Sequence, residues 1–111
     1  MIMKVSELTE KLNLKLLTKK EYDDREINGC YIGDLLSWVM GRAQADNVWI
    51  TIMNNINIVA VASLADVACI LLCENVQADE NIIDKANSQD IIILSSELTA
   101  YEIAEKLAGL I

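Results

Sequence analysis

The chain has no histidine among its 111 residues. That excludes the usual Ser-His and Cys-His nucleophile arrangements, in which an imidazole takes the proton from the attacking group. Glycine is scarce: Gly29, Gly33, Gly41 and Gly109 match neither the phosphate-binding loop nor the dinucleotide fingerprint. The three cysteines, Cys30, Cys69 and Cys73, lack the Cys-x-x-Cys spacing of zinc and redox sites. Cys69 and Cys73 lie four apart in an apolar run and should share one face of a strand, as small apolar residues. No run approaches the roughly 18 consecutive apolar residues of a membrane-spanning helix, and no basic, apolar leader opens the chain. The expectation is a cytoplasmic protein without metal, cofactor or membrane contact. The odd cysteine count fits a reducing compartment.

Basic residues are also few, and they are unevenly placed. Residues 1–44 balance seven basic groups against seven acids, while residues 45–111 carry only Lys85 and Lys106 against ten acids. The net charge of −8 therefore arises in the second part. Nucleic-acid binding draws its affinity from Lys and Arg on phosphates, so an acidic chain without a basic stripe excludes that function class. An acidic surface serves solubility, or fast association with a basic partner.

Apolar residues, by contrast, are plentiful. They make up 53% of a chain long enough for one domain, residues 1–111, with its own core. So small a domain has much surface per unit volume, and some of the apolar excess should reach the outside. That pattern points to a homodimer.

The organising stretch is residues 47–66, NVWITIMNNINIVAVASLAD. An apolar run ends abruptly at Asn54-Asn55, a second follows over residues 56–65, and Asp66 opens a third over residues 67–73. The first and third read as parallel strands. The middle run supplies the dozen or so residues a parallel crossover needs, so it reads as a helix despite its β-branched residues. Being apolar on nearly all sides, that helix must be covered on two faces.

Around this unit, Ser6 should open an amphipathic helix and residues 14–18 form a strand. Residues 19–26, KKEYDDRE, are a charged loop, and residues 27–33 are extended. Asp34 should cap a helix over residues 35–40, with Gly41 ending it. Asp79 should cap a helix bearing Ile82, Ile83 and Ala86, and residues 91–94 a buried strand ending on Ser95-Ser96. Thr99-Ala100-Tyr101-Glu102 is a capping box, with Leu98 and Ile103 as its staple. Strands each followed by a helix predict a mainly parallel α/β sheet.

Ligands in open α/β sheets lie outside the carboxyl ends of strands. The polar corner after the strand ending near Thr51 is the candidate site. Thr51, Asn54, Asn55 and Asn57 would meet an anionic or carbonyl-bearing group at the helix start, where N–H groups are unpaired. Ordinary capping by these asparagines is the alternative. Arg25 is the candidate cation. No catalytic residues stand out.

Three phrases, DREINGCYIGDLLS (24–37), WIT…NIVAVASL (49–64) and IILSSELTAYEIAEKL (92–107), resemble the DRTGG domain family in content and order. The resemblance runs from Val5 to Leu107. It implies a three-layer α/β/α domain with a mainly parallel four-stranded sheet, similar to the amino-terminal domains of HPr kinase/phosphorylase and Mur ligases. It also implies a non-catalytic regulatory role in bacteria: sensing an adenine nucleotide, or serving as a dimeric accessory module of a redox or signalling enzyme, as stand-alone copies occur near hydrogenase genes. Many members read Ile-Thr-x-Gly-Asp-Arg-x-Asp where this chain has residues 50–57, ITIMNNIN, so amides replace the charged pair and Met53 the glycine. Cys30 stands where a second glycine is frequent.

Overall fold

The computed structural model describes residues 3–111. Its elements are β1 (Met3–Lys4), α1 (Val5–Lys11), β2 (Lys15–Leu16), β3 (Glu26–Ile27), β4 (Gly29–Ile32), α2 (Leu36–Arg42), β5 (Asn47–Thr51), α3 (Asn57–Ala65), β6 (Cys69–Leu72), α4 (Glu80–Ser88), β7 (Ile93–Ser95) and α5 (Ala100–Ala108). The expected alternation of strand and helix is present, and the crossover from β5 to β6 is a helix.

The main sheet has five strands in the order β2-β7-β6-β5-β4. Four of them, β4 to β7, run parallel, and β2 adds an antiparallel edge beside β7. The family resemblance implied four strands; the fifth is the stub Lys15–Leu16, which pairs with Leu94 and Ser95. β1 and β3 form a separate two-stranded antiparallel sheet.

Alternation along the strands divides the core. Trp49, Ile70, Leu72 and Ile93 face one side, where they meet α2 (Val39), α3 (Ile58, Val59, Ala62) and α4 (Ile82, Ala86). Val48, Ile50, Cys69, Leu71, Cys73 and Leu94 face the other, against α1 (Val5, Leu8) and α5 (Ile103, Leu107). The result is three layers, α/β/α, with Cys69 and Cys73 on one face as expected. β6, CILL, is buried along its whole length, which is why it carries no polar residue. Burying side chains of this size stabilises by about 1.5–3 kcal/mol each.

Two caps form as the sequence predicts. The Asp79 carboxylate accepts from Ile82 N at 3.0 Å, and Thr99 with Glu102 closes the capping box on α5. That interaction holds the Glu102 carboxyl below its ordinary pKa, the Thr99 backbone N–H being the main cause. Others differ. The helix at Ser6 already begins at Val5, and Ser6 instead donates, through N and Oγ, to the Asp24 carboxylate. Gly41 lies inside α2, which continues to Arg42. Asp34 caps nothing, because its carboxylate is drawn to the end of β5.

α3 is covered on one face by the sheet and in part by α2. Ile58, Val59, Val61 and Ala62 are buried, while Ile56 and Leu64 remain 45% and 70% exposed.

Candidate functional site

The structure divides the five residues the sequence grouped. Thr51 is the last residue of β5, and Asn54, Asn55 and Asn57 follow it into α3, all at the carboxyl end of the parallel strands. Arg25 is at the opposite end. Its Nε and Nη2 donate to Asp46 Oδ1, its Nη2 to Asp66 O at 2.8 Å, and its Nη1 to Val67 O at 3.0 Å. Nη1 also pairs with Asp66 Oδ1 at 3.0 Å. Asp46 immediately precedes β5 and Asp66 lies three residues before β6, so Arg25 fastens the amino ends of two neighbouring strands.

Arg25 thus donates four hydrogen bonds through all three guanidinium nitrogens and adds an ion pair to Asp66. Burial works against its charge, but Asp46 and Asp66 outweigh it and raise its pKa. Arg25 is a clasp and does not reach the β5 corner. Asp24 reinforces it: its carboxylate receives Ser6 at the start of α1, and Arg25 O accepts from Val5 N.

At the corner itself, Thr51 is buried, and its Oγ1 donates to Asp34 Oδ1 at 2.7 Å. Ile52 N donates to the same oxygen at 2.9 Å, and Met53 N donates to Thr51 Oγ1 at 3.1 Å. Asn54 Nδ2 donates to Gln77 O at 3.0 Å, tying this loop to the one after β6. Asn55 Oδ1 accepts from Asn57 N at 2.9 Å, a local turn just ahead of α3, whose N-cap residue Ile56 has no side-chain cap. The Asn57 side chain, on the exposed first turn of α3, has no hydrogen-bond partner among the described residues. The corner is thus a preformed turn, with Asn54 and Asn57 as its outward polar groups.

Sequence reasoning missed Asp34, Asp46 and Asp66 as organising residues. A signal was available for the last two. Ala45-Asp46, Ala65-Asp66 and Gln89-Asp90 each lead into a parallel strand, and all three aspartates have positive φ (68°, 58° and 57°). Asp tolerates the left-handed conformation that returns a helix to its sheet.

The DRTGG domain family matches residues 7–110. The chain belongs to this family. Among solved structures, it is similar to the CBS and DRTGG domains of the regulatory region of Clostridium perfringens pyrophosphatase, complexed with the activator diadenosine tetraphosphate. The TM-score is 0.65 at 9% identity, over 91% of this chain and 44% of that one. At that identity the likeness is one of fold, and this DRTGG chain spans less than half of the pyrophosphatase fragment. No curated protein matches the chain.

Proposed function

We propose that this DRTGG domain is a non-catalytic regulatory module that senses a small anionic ligand, an adenine nucleotide first among candidates, at the carboxyl ends of its parallel strands. The family match over residues 7–110 carries the reading, supported by the activator-bound regulatory region that shares its fold. The ligand would meet Asn54, Asn57 and the positive end of the α3 dipole, with Thr51 and Asn55 holding the loop in shape. The N–H groups of Asn57, Ile58 and Val59, expected to be unpaired, already donate to Asn55 Oδ1, Asn55 O and Ile56 O. Asp34 stands beside them, its Oδ1 already receiving Thr51 and Ile52 N, which offsets part of its repulsion toward an anion. The free thiols of Cys30, Cys69 and Cys73 suit a reducing cytoplasm. A thermal-shift series with AMP, ADP and ATP tests the reading: a concentration-dependent rise in Tm is expected, and a flat response would contradict it.

A second reading, a dimeric accessory module for a redox or signalling enzyme, draws on one surface. Leu35, Trp38 and Met40 around α2, with Ile56 and Leu64 around α3, are 45–70% exposed large apolar residues on adjoining elements. Arg42 lies over the Trp38 ring at 3.6 Å, and no acid interrupts these residues on the two helices. Two chains of charge −8 repel over most of their surface, so this face is where copies can meet. Co-purification with one enzyme at fixed stoichiometry, without nucleotide response, would favour this reading.

A further inference from the structure

The β5 corner is not where the sheet's connections change sides. The helices after β4, β5 and β6 (α2, α3 and α4) all pack on one face, and α5, after β7, packs on the other. β6 and β7 are neighbours in the sheet. Helices leaving adjacent strands to opposite faces leave a crevice between them, and in open α/β sheets this topological switch point is where ligands bind. A cavity of about 490 Å³ lies against it, lined in part by Asn13, Lys15, Asn75, Ser95, Glu97 and Leu98. Its volume falls within the range of roughly 300–1,000 Å³ typical of small-molecule sites.

The chain builds this crevice in three moves. β2 is antiparallel to β7, and its register sets Lys15 opposite Ser95, bringing an ammonium group to the carboxyl edge of the sheet. Asn13, with φ of 52°, turns the chain from α1 into β2 at the same edge. Glu74 and Asn75, with φ of 57° and 59°, turn the loop after β6 so that their N–H groups donate to Leu98 O and Ser96 O at 2.8 and 2.9 Å. The two loops are thereby locked together as the crevice floor.

We propose that this crevice is a second ligand site, separate from the β5 corner, for a small metabolite carrying one anionic group, phosphate or carboxylate. The Lys15 ammonium has no ion pair, and the Ser95 hydroxyl, the Asn13 amide and the Glu97 carboxylate have no hydrogen-bond partner, among the described residues. By contrast, the corner's Thr51 and Asn55 are committed to holding their own loop. Lys15 and Ser95 take the anion, and Glu97 excludes a second negative charge beside it while accepting from a hydroxyl or amine of the same molecule. Leu98 offers an apolar wall.

The test is a two-dimensional 15N–1H NMR titration of the whole chain with inorganic phosphate, acetate and AMP separately, repeated on Lys15→Gln. Lys15 is exposed on an edge strand, so the variant keeps the fold, and its own spectrum verifies that. Saturable shifts at Asn13, Asn75, Ser95 and Glu97, weakened ten-fold or more in Lys15→Gln, support the site. The order of affinity among the three probes then separates phosphate from carboxylate as its chemistry. Shifts confined to residues 54–57 would overturn this site and leave the ligand-sensing reading standing. Crevice shifts undiminished in Lys15→Gln would overturn its anion chemistry, and no shifts with any probe would overturn the site itself.

Discussion

Arg25 and Asp46 are joined by a two-point contact, Nε and Nη2 of the guanidinium both donating to one carboxylate oxygen. The pair is partly buried, the Arg25 side chain being 24% exposed. With Asp66, it binds the charged loop over residues 19–26 to the amino ends of β5 and β6. Charge-assisted hydrogen bonds contribute about 1.5–3 kcal/mol each, although members of one network do not add. Arg25→Ala is therefore expected to lower stability by about 2–3 kcal/mol in urea denaturation and to leave nucleotide affinity in the folded protein unchanged. Arg25→Lys, which keeps charge but loses the fork, should fall between. An unchanged urea midpoint in Arg25→Ala would show that the clasp is idle.

Gly41 gives the opposite case. It is exposed within α2, and an added methyl group would meet nothing within 4 Å. Glycine inside a helix costs about 0.5–1 kcal/mol relative to alanine. Gly41→Ala should accordingly raise Tm by a few degrees; a lower Tm would mean that α2 needs its glycine for something other than packing.

Much of this architecture was legible in the sequence, and the reason is periodicity. The capping box at Thr99, the cap at Asp79 and the crossover helix over 57–65 rest on local rules that the fold does not override. Asp34 misled because a carboxylate next to a helix start is the commonest cap signal, whereas here the buried Thr51 hydroxyl and Ile52 N compete for it across the sheet. Arg25 misled for a related reason. Its position in a charged loop says nothing about which end of the sheet that loop reaches, which the β1–β3 pairing and the αL aspartates decide. The switch point lay beyond local pattern too, since it depends on which face α5 chooses.

Cys69 supplies a pH test. Burial, the main cause, pushes its thiol from the ordinary 9.0 up to about 12. The folded state thus holds the proton more tightly than the unfolded chain. Stability from this group is intact below pH 9 and is lost as pH rises from about 9 to 12, since only the unfolded thiol ionises readily there. The urea midpoint is expected to decline across that window, and the decline should be shallower in Cys69→Ala. Equal slopes in both proteins would assign the loss elsewhere.

The apolar surface of α2 and α3 makes a statement about assembly. Light scattering coupled to size exclusion should give a dimer mass at micromolar concentration, and Leu64→Glu, at a position 70% exposed, should convert it to monomer without loss of Tm beyond that of dissociation. A clean monomer mass for the unaltered chain would remove the dimer from the account.

Calorimetric titration with AMP, on the unaltered chain and on Asn54→Ala and Asn57→Ala, tests the ligand-sensing reading most directly. Each amide contributes about 1 kcal/mol if it meets the ligand, so affinity should fall several-fold in each variant. Saturable binding to the unaltered chain, weakened in both variants with the fold intact by circular dichroism, is the expected result. Absence of any binding heat at several temperatures, or binding undiminished in both variants, would contradict a nucleotide site at the β5 corner.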